Sequence, residues 1–194
     1  MIIEVEDRFC KAAKVFSKLL EQLERSAEQG DAVHEVEEMT WSGLIETGRE
    51  MIAAYVQRQA EATPRPKVIE YEGKTLHRLP EPRLREYVSA FGPTPFRRDV
   101  YATRETQRQE VVPLDAKLGM PEGDTSYLLQ KWSSTQCIKE SYQESRTTLL
   151  GILGFAPSVN CMEDLVANAA EHADVYFQDQ EPVDPTMEAE ILVV

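Results

Sequence analysis

Thr63-Pro64-Arg65-Pro66 divides the chain. Two prolines in three residues remove backbone donors and push their neighbours out of the α region, so no helix continues through this stretch. Before it the apolar residues recur at helical spacing. After it they sit in short β-prone runs.

Upstream, Val5, Phe9, Ala12, Phe16, Leu19 and Leu23 follow one another in steps of four and three, which draws a single stripe along a helix. Ala13 and Leu20 widen that stripe. It fits packing against a neighbouring helix of the same chain, and its seam-like alternation also fits dimerisation. Gly30-Asp31 ends this helix and starts the next, with Gly as C-terminal stop and Asp as N-cap. The second helix runs from about Ala32 to Ala60, carrying Val33, Val36, Trp41, Leu44, Ile45, Met51, Ile52, Tyr55 and Val56. Gly43 and Gly48 inside it cost roughly 1 kcal/mol each relative to Ala, so they mark close helix contacts or a break. A helical hairpin is expected.

Downstream, Val68-Ile69-Glu70-Tyr71 and Thr75-Leu76-His77-Arg78-Leu79 flank a tight turn at Glu72-Gly73-Lys74. After Pro80-Glu81-Pro82 a second hairpin is predicted, with arms Arg83 to Phe91 and Thr94 to Thr103 joined through Gly92-Pro93. From Tyr127 the pattern turns helical again. Tyr127, Leu128, Leu129 and Trp132 mark one helix, and Tyr142, Leu149, Leu150, Ile152 and Leu153 a second. Gly154-Phe155-Ala156-Pro157 breaks the second, and either Ser158 or Asn160 caps a third that carries Met162, Leu165, Val166, Ala169 and Ala173. Helix, short turn and capped helix outline a helix-turn-helix.

The expected fold is therefore α+β and mainly helical. It comprises an N-terminal helical hairpin over residues 1–62, a basic β-hairpin region over 63–110, a helix-turn-helix-like helical domain over 111–178, and an acidic linker ending in a strand over 179–194. That closing run, Ile191-Leu192-Val193-Val194, is β-prone and apolar and calls for sheet neighbours. It reads as the first strand of a further domain, with a terminal edge strand as the alternative.

The chain of 194 residues is long enough to bury a core, and its 42% hydrophobic and 28% charged content fit a globular protein. No apolar run reaches the length of a membrane span, and the acids Glu4, Glu6 and Asp7 stand where a signal peptide needs an apolar block, so no membrane association and a cytoplasmic location are expected. Cys10, Cys137 and Cys161 are isolated, as are His34, His77 and His172, which suggests neither a disulfide framework nor a metal site. Glycine-rich phosphate loops, nucleophile elbows and zinc-protease helices are all missing from the sequence. Adjacent acids such as Glu37-Glu38 and Glu163-Asp164 read as solvated helix faces. The net charge of −13 argues against a nucleic-acid partner, but it is unevenly spread. Residues 63–110 hold ten basic against seven acidic side chains, whereas residues 147–194 hold no Lys or Arg and nine acids.

Tyr87-Val88-Ser89-Ala90-Phe91-Gly92-Pro93-Thr94-Pro95-Phe96-Arg97-Arg98-Asp99-Val100-Tyr101, followed by Val111-Val112-Pro113-Leu114-Asp115-Ala116-Lys117-Leu118-Gly119-Met120-Pro121, resembles the N-terminal region of transposases of the ISKra4 family of insertion sequences. The order of parts carries the resemblance: helical lead, basic hairpin, "PLD" stretch, helix-turn-helix and apolar strand. It implies that the strand at Ile191 to Val194 opens an RNase H-like catalytic domain, whose acidic residues hold two divalent metals that activate the nucleophile. The first such aspartate would lie beyond this chain. No cofactor is therefore expected within it, and no transposition chemistry from it alone.

Six arginines, Arg83, Arg85, Arg97, Arg98, Arg104 and Arg108, make the hairpin the electrostatic candidate for contact with transposon-end DNA. Pairing with the surplus acids of the helical segments is the competing use of the same side chains. Alternation puts Arg83, Arg85, Tyr87, Ser89 and Phe91 on one face, either as arginine stems over rings or as an interior edge rimmed by arginines. The third helix of the C-terminal domain is acidic, with Glu163, Asp164, Glu171 and Asp174, so phosphates repel it. Ser158, Asn160 and Asn168 remain candidates for base edges, with Lys139 and Arg146 as weaker phosphate contacts. The expected function is the noncatalytic part of a DDE-type transposase that binds element ends and assembles. The rival is a stand-alone adaptor or regulator derived from such a fragment, acting through its helical surfaces. DNA mimicry by the acidic surface has charge alone in its favour.

Overall fold

A computed structural model describes residues 9–103 and 111–171. The expected strand at Ile191 to Val194, the acidic linker, and the candidates Arg104 and Arg108 lie outside the described residues. Within them the fold is α+β and mainly helical, as the apolar spacing predicts.

Helices α1 (Cys10–Gln29) and α2 (Val33–Ala62) form the expected antiparallel hairpin, with Gly30 in the left-handed conformation ending the first. Asp31 does not cap the second helix; Ala32 occupies the N-cap position without a side-chain hydrogen bond. Ala12 and Leu19 of α1 turn inward. The two helix glycines mark close contacts: a Cβ at Gly43 would meet Leu19 Cδ1 at 2.6 Å, and one at Gly48 would meet the Phe91 ring at 2.5 Å.

Strands β1 (Val68–Tyr71) and β2 (Lys74–Arg78) pair in antiparallel register, Ile69 opposite Leu76 and Tyr71 opposite Lys74. Glu72 and Gly73 between them both have positive φ, which is the twist that a two-residue hairpin turn requires. The second ribbon consists of β3 (Arg83–Arg85), β4 (Val88–Ser89), β5 (Gly92–Pro93) and β6 (Phe96–Arg98). Its pairs are Arg83 with Arg98, Leu84 with Arg97, Arg85 with Phe96 and Ser89 with Gly92.

Two further details, both in the ribbon, differ from the sequence expectation. The ribbon turns at Ala90-Phe91, leaving Gly92-Pro93 paired in a strand. Its second arm also stops early, because β7 (Tyr101–Ala102) leaves to join β2 as the third strand of the first sheet. The physical reason for the shifted turn is docking. Ala90 is buried and the Phe91 ring fills the space left by Gly48 on α2. Ser89 Oγ accepts from the Phe91 N–H at 3.1 Å, and both the Ser89 and Thr94 hydroxyls donate to the Gly92 carbonyl at 3.0 Å, satisfying the buried tip.

The short helix α3 (Pro113–Leu118) follows, then α4 (Tyr127–Cys137), α5 (Tyr142–Leu153) and α6 (Val159–Glu171), which pack on one another as a three-helix bundle. Ser126 caps α4, and Ser141 with Glu144 forms a complete capping box on α5. Two apolar cores result. Leu129, Leu149, Leu153 and Met162 close the bundle, while Val56, Phe96 and Leu114 join α2, the ribbon and α3. Helix α2 is the common spine, since Ile45 packs on the first core and Ile52 on the second.

Candidate nucleic-acid interface

The register of the ribbon decides which arginines face solvent. Arg85 and Phe96 are cross-strand partners on the inward face, beside Arg83 and Arg98, while Leu84 and Arg97 share the outward face. Arg85 is the extreme case, with its side chain 3% exposed. It donates to Asp115 Oδ2 at 2.5 Å, to the Gly123 carbonyl at 2.6 Å and to the Pro121 carbonyl. Its guanidinium carbon also lies 5.9 Å from the centre of the Tyr87 ring, which meets Phe96 edge-on at 6.1 Å.

Arg98 reaches the same carboxylate oxygen, Asp115 Oδ2, and is also largely buried. Burial and the neighbouring Arg85 charge hold its pKa below the ordinary arginine value. Two guanidiniums thus converge on one aspartate contributed by α3 of the "PLD" stretch. Such a cluster is sustained only while its charges stay paired, because an uncompensated buried ion costs several kcal/mol. Arg85 and Arg98 are accordingly fold-holding residues in this structure. The interior-edge reading of the alternating face describes it, with Arg83 at the rim.

Arg83 and Arg97 are exposed. Arg97 Nη1 donates to the Pro82 carbonyl at 3.3 Å, which steadies the side chain at the mouth of a groove of about 500 Å³. That groove runs between the end of α2 and the ribbon, with Leu84, Phe96 and four prolines, Pro64, Pro82, Pro95 and Pro113, in its walls. Arg65 lines it as well, bound to Asp99 through Nε at 2.5 Å and Nη2 at 3.0 Å. The hydrogen bond and charge of Asp99 raise the Arg65 pKa. Arg65 stands outside the ribbon, in the helix-breaking segment before it. Its only signal was proximity to the basic region.

In the bundle the candidates separate. Ser158 serves as the cap of α6, its Oγ accepting from the Cys161 N–H at 3.2 Å, whereas Asn160 is exposed on the first turn. Lys139 is exposed just after α4, and Arg146 is half-buried on α5. Glu163, Asp164 and Glu171 face solvent from α6. Ribbon and bundle are tied by backbone: the Val88 N–H donates to the Asp124 carbonyl at 2.8 Å and the Ser126 N–H to the Val88 carbonyl at 2.9 Å.

Among the described residues no group of three or more His, Cys, Asp or Glu side chains could hold a metal ion, and no helix is long and apolar enough to cross a membrane. Comparison with protein-family models, curated proteins and solved structures yields no match.

Proposed function

We propose that this chain is a noncatalytic DNA-binding and assembly region of the kind found at the N-terminus of insertion-sequence transposases, acting in the cytoplasm on element ends. The observation that carries the reading is the division of labour along the ribbon. Arg85 and Arg98 are committed to Asp115, while Arg83 and Arg97 stay exposed on the same paired ribbon. Exposed guanidiniums on a paired ribbon suit phosphate contact, which positions a protein on a duplex without reading bases. Because the ribbon tip is docked on α2, contact through the ribbon's side replaces insertion of its tip into a groove. Asn160 and Lys139 supply a second, weaker contact line from the bundle.

A second reading, an adaptor that binds protein through its helices, draws on the apolar side chains exposed on α1 and α2. Salt separates the two. Binding of a duplex carrying the element's terminal sequence should fall steeply as salt rises, by the release of counterions, and the Arg83→Ala/Arg97→Ala variant should flatten that slope by about two. An unchanged slope, or no binding at low salt, would sink the DNA reading.

A further inference from the structure

The helical hairpin has two unlike sides. On one, the charged and polar side chains of Lys14, Lys18, Gln22, Ser42 and Glu46 stand beside Val15, Leu19 and Met39 in a shallow mixed trough. On the other, Leu23 and Ala27 of α1 face Val33, Val36, Trp41 and Leu44 of α2 across an apolar groove of about 770 Å³. Val33 (74%), Trp41 (49%) and Leu44 (44%) are exposed in this groove, as are Phe16, Leu20, Met51 and Tyr55 elsewhere on the two helices; the Trp41 indole N–H also donates to the Ile152 carbonyl of α5. Half-exposed side chains of this size each leave on the order of 100 Å² open, so the seven together offer roughly 700 Å², close to the ~800 Å² per partner of a standard stable interface. Isolated apolar residues on a surface are ordinary, but Val33, Leu44, Met51 and Tyr55 fall on one face of α2 by their helical spacing, and apolar side chains gathered in this way mark a contact.

We infer that this face pairs with the same face of a second copy, giving a four-helix bundle about a twofold axis. The spacing along α2 selects that occupant. Glu37, Leu44, Met51 and Arg58 recur at every seventh residue, the period of a helix-helix seam. The series reads as its own complement when reversed. In an antiparallel pairing of α2 with its copy, Leu44 meets Met51 of the second copy while Glu37 meets Arg58. Phe16 and Leu23, also seven apart, extend the seam along α1. A twofold axis demands this kind of self-complementarity, since each patch must receive itself. The inference stands on the helical hairpin and is independent of DNA contact by the ribbon.

Sedimentation equilibrium of the full chain tests it. The wild type should sediment as a dimer at micromolar concentration, and added salt should preserve or tighten the dimer, because each copy has a net charge of −13. Leu44→Glu/Met51→Glu should halve the mass with the helical circular dichroism unchanged, while Ser42→Glu in the mixed trough should leave the dimer intact. Glu37→Arg should weaken it, and adding Arg58→Glu should restore it. A monomeric wild type, or a dimer that survives Leu44→Glu/Met51→Glu, overturns the inference.

Discussion

The central ribbon places a guanidinium, Arg85, among its buried side chains, whereas the C-terminal bundle closes on Leu129, Leu149, Leu153 and Met162. The two regions lie side by side on α2 and are linked through Val88, yet they bury surface by different chemistry. An apolar core tolerates exchange of one hydrocarbon for another, and it asks only for volume. A buried ionic cluster asks for a particular carboxylate at a particular place. The ribbon is therefore the more easily broken of the two, and it is the region that presents Arg83 and Arg97.

The largest effect should come from Asp115→Ala, which leaves Arg85 and Arg98 buried without their shared counter-ion. A loss of about 3–5 kcal/mol is expected in chemical denaturation. A loss below 1 kcal/mol would show that the two arginines find water instead, and the contrast between the regions would fail. Met162→Ala, at a position with no exposed surface, should cost about 2–5 kcal/mol by loss of apolar contact and the cavity left behind. Conversion of Met162 to Leu should recover most of that loss. No comparable exchange should rescue Asp115.

The bundle also buries two hydroxyls without a hydrogen-bond partner. Ser133 and Ser145 are fully buried, and neither Oγ makes a hydrogen bond. Ser145→Ala removes an unsatisfied polar atom at small cost in volume, so it should raise the unfolding free energy by up to about 1 kcal/mol. A destabilised Ser145→Ala would mean that the hydroxyl has a role the packing does not reveal. The smallest effect concerns pH. Hydrogen bonds from the Ser141 side chain and backbone N–H hold the Glu144 carboxyl below its ordinary pKa. A depressed folded value stabilises above the unfolded pKa of about 4.3 and loses that contribution as pH falls through the folded value. Glu144→Gln should therefore narrow the gap between the melting temperatures at neutral and acid pH.

Much of this architecture was legible in the chain. The proline pair at Pro64 and Pro66, the Glu72-Gly73 turn, the two close-contact glycines of α2 and the three C-terminal helices all announce themselves through local preference. What escaped reading needed a distant partner. Alternation groups Arg83, Arg85 and Tyr87 on one face, but it leaves open whether that face is a surface of arginine stems over rings or an interior edge. Asp115 makes it an interior edge by supplying a carboxylate from beyond the ribbon. The turn moved from Gly92-Pro93 to Ala90-Phe91 for a similar reason, since Phe91 gains a seat on Gly48 that no local signal encodes. Pairing of β7 with β2 is another nonlocal choice.

The division of labour among the ribbon arginines is tested most directly by comparing Arg97→Ala with Arg98→Ala, adjacent in sequence and opposite in direction, in thermal melting and in duplex binding at two salt concentrations. The account predicts that Arg97→Ala melts like the wild type but binds the duplex more weakly with a shallower salt slope, while Arg98→Ala loses melting temperature outright. Equal melting of the two variants, or unaltered binding by Arg97→Ala, would contradict it.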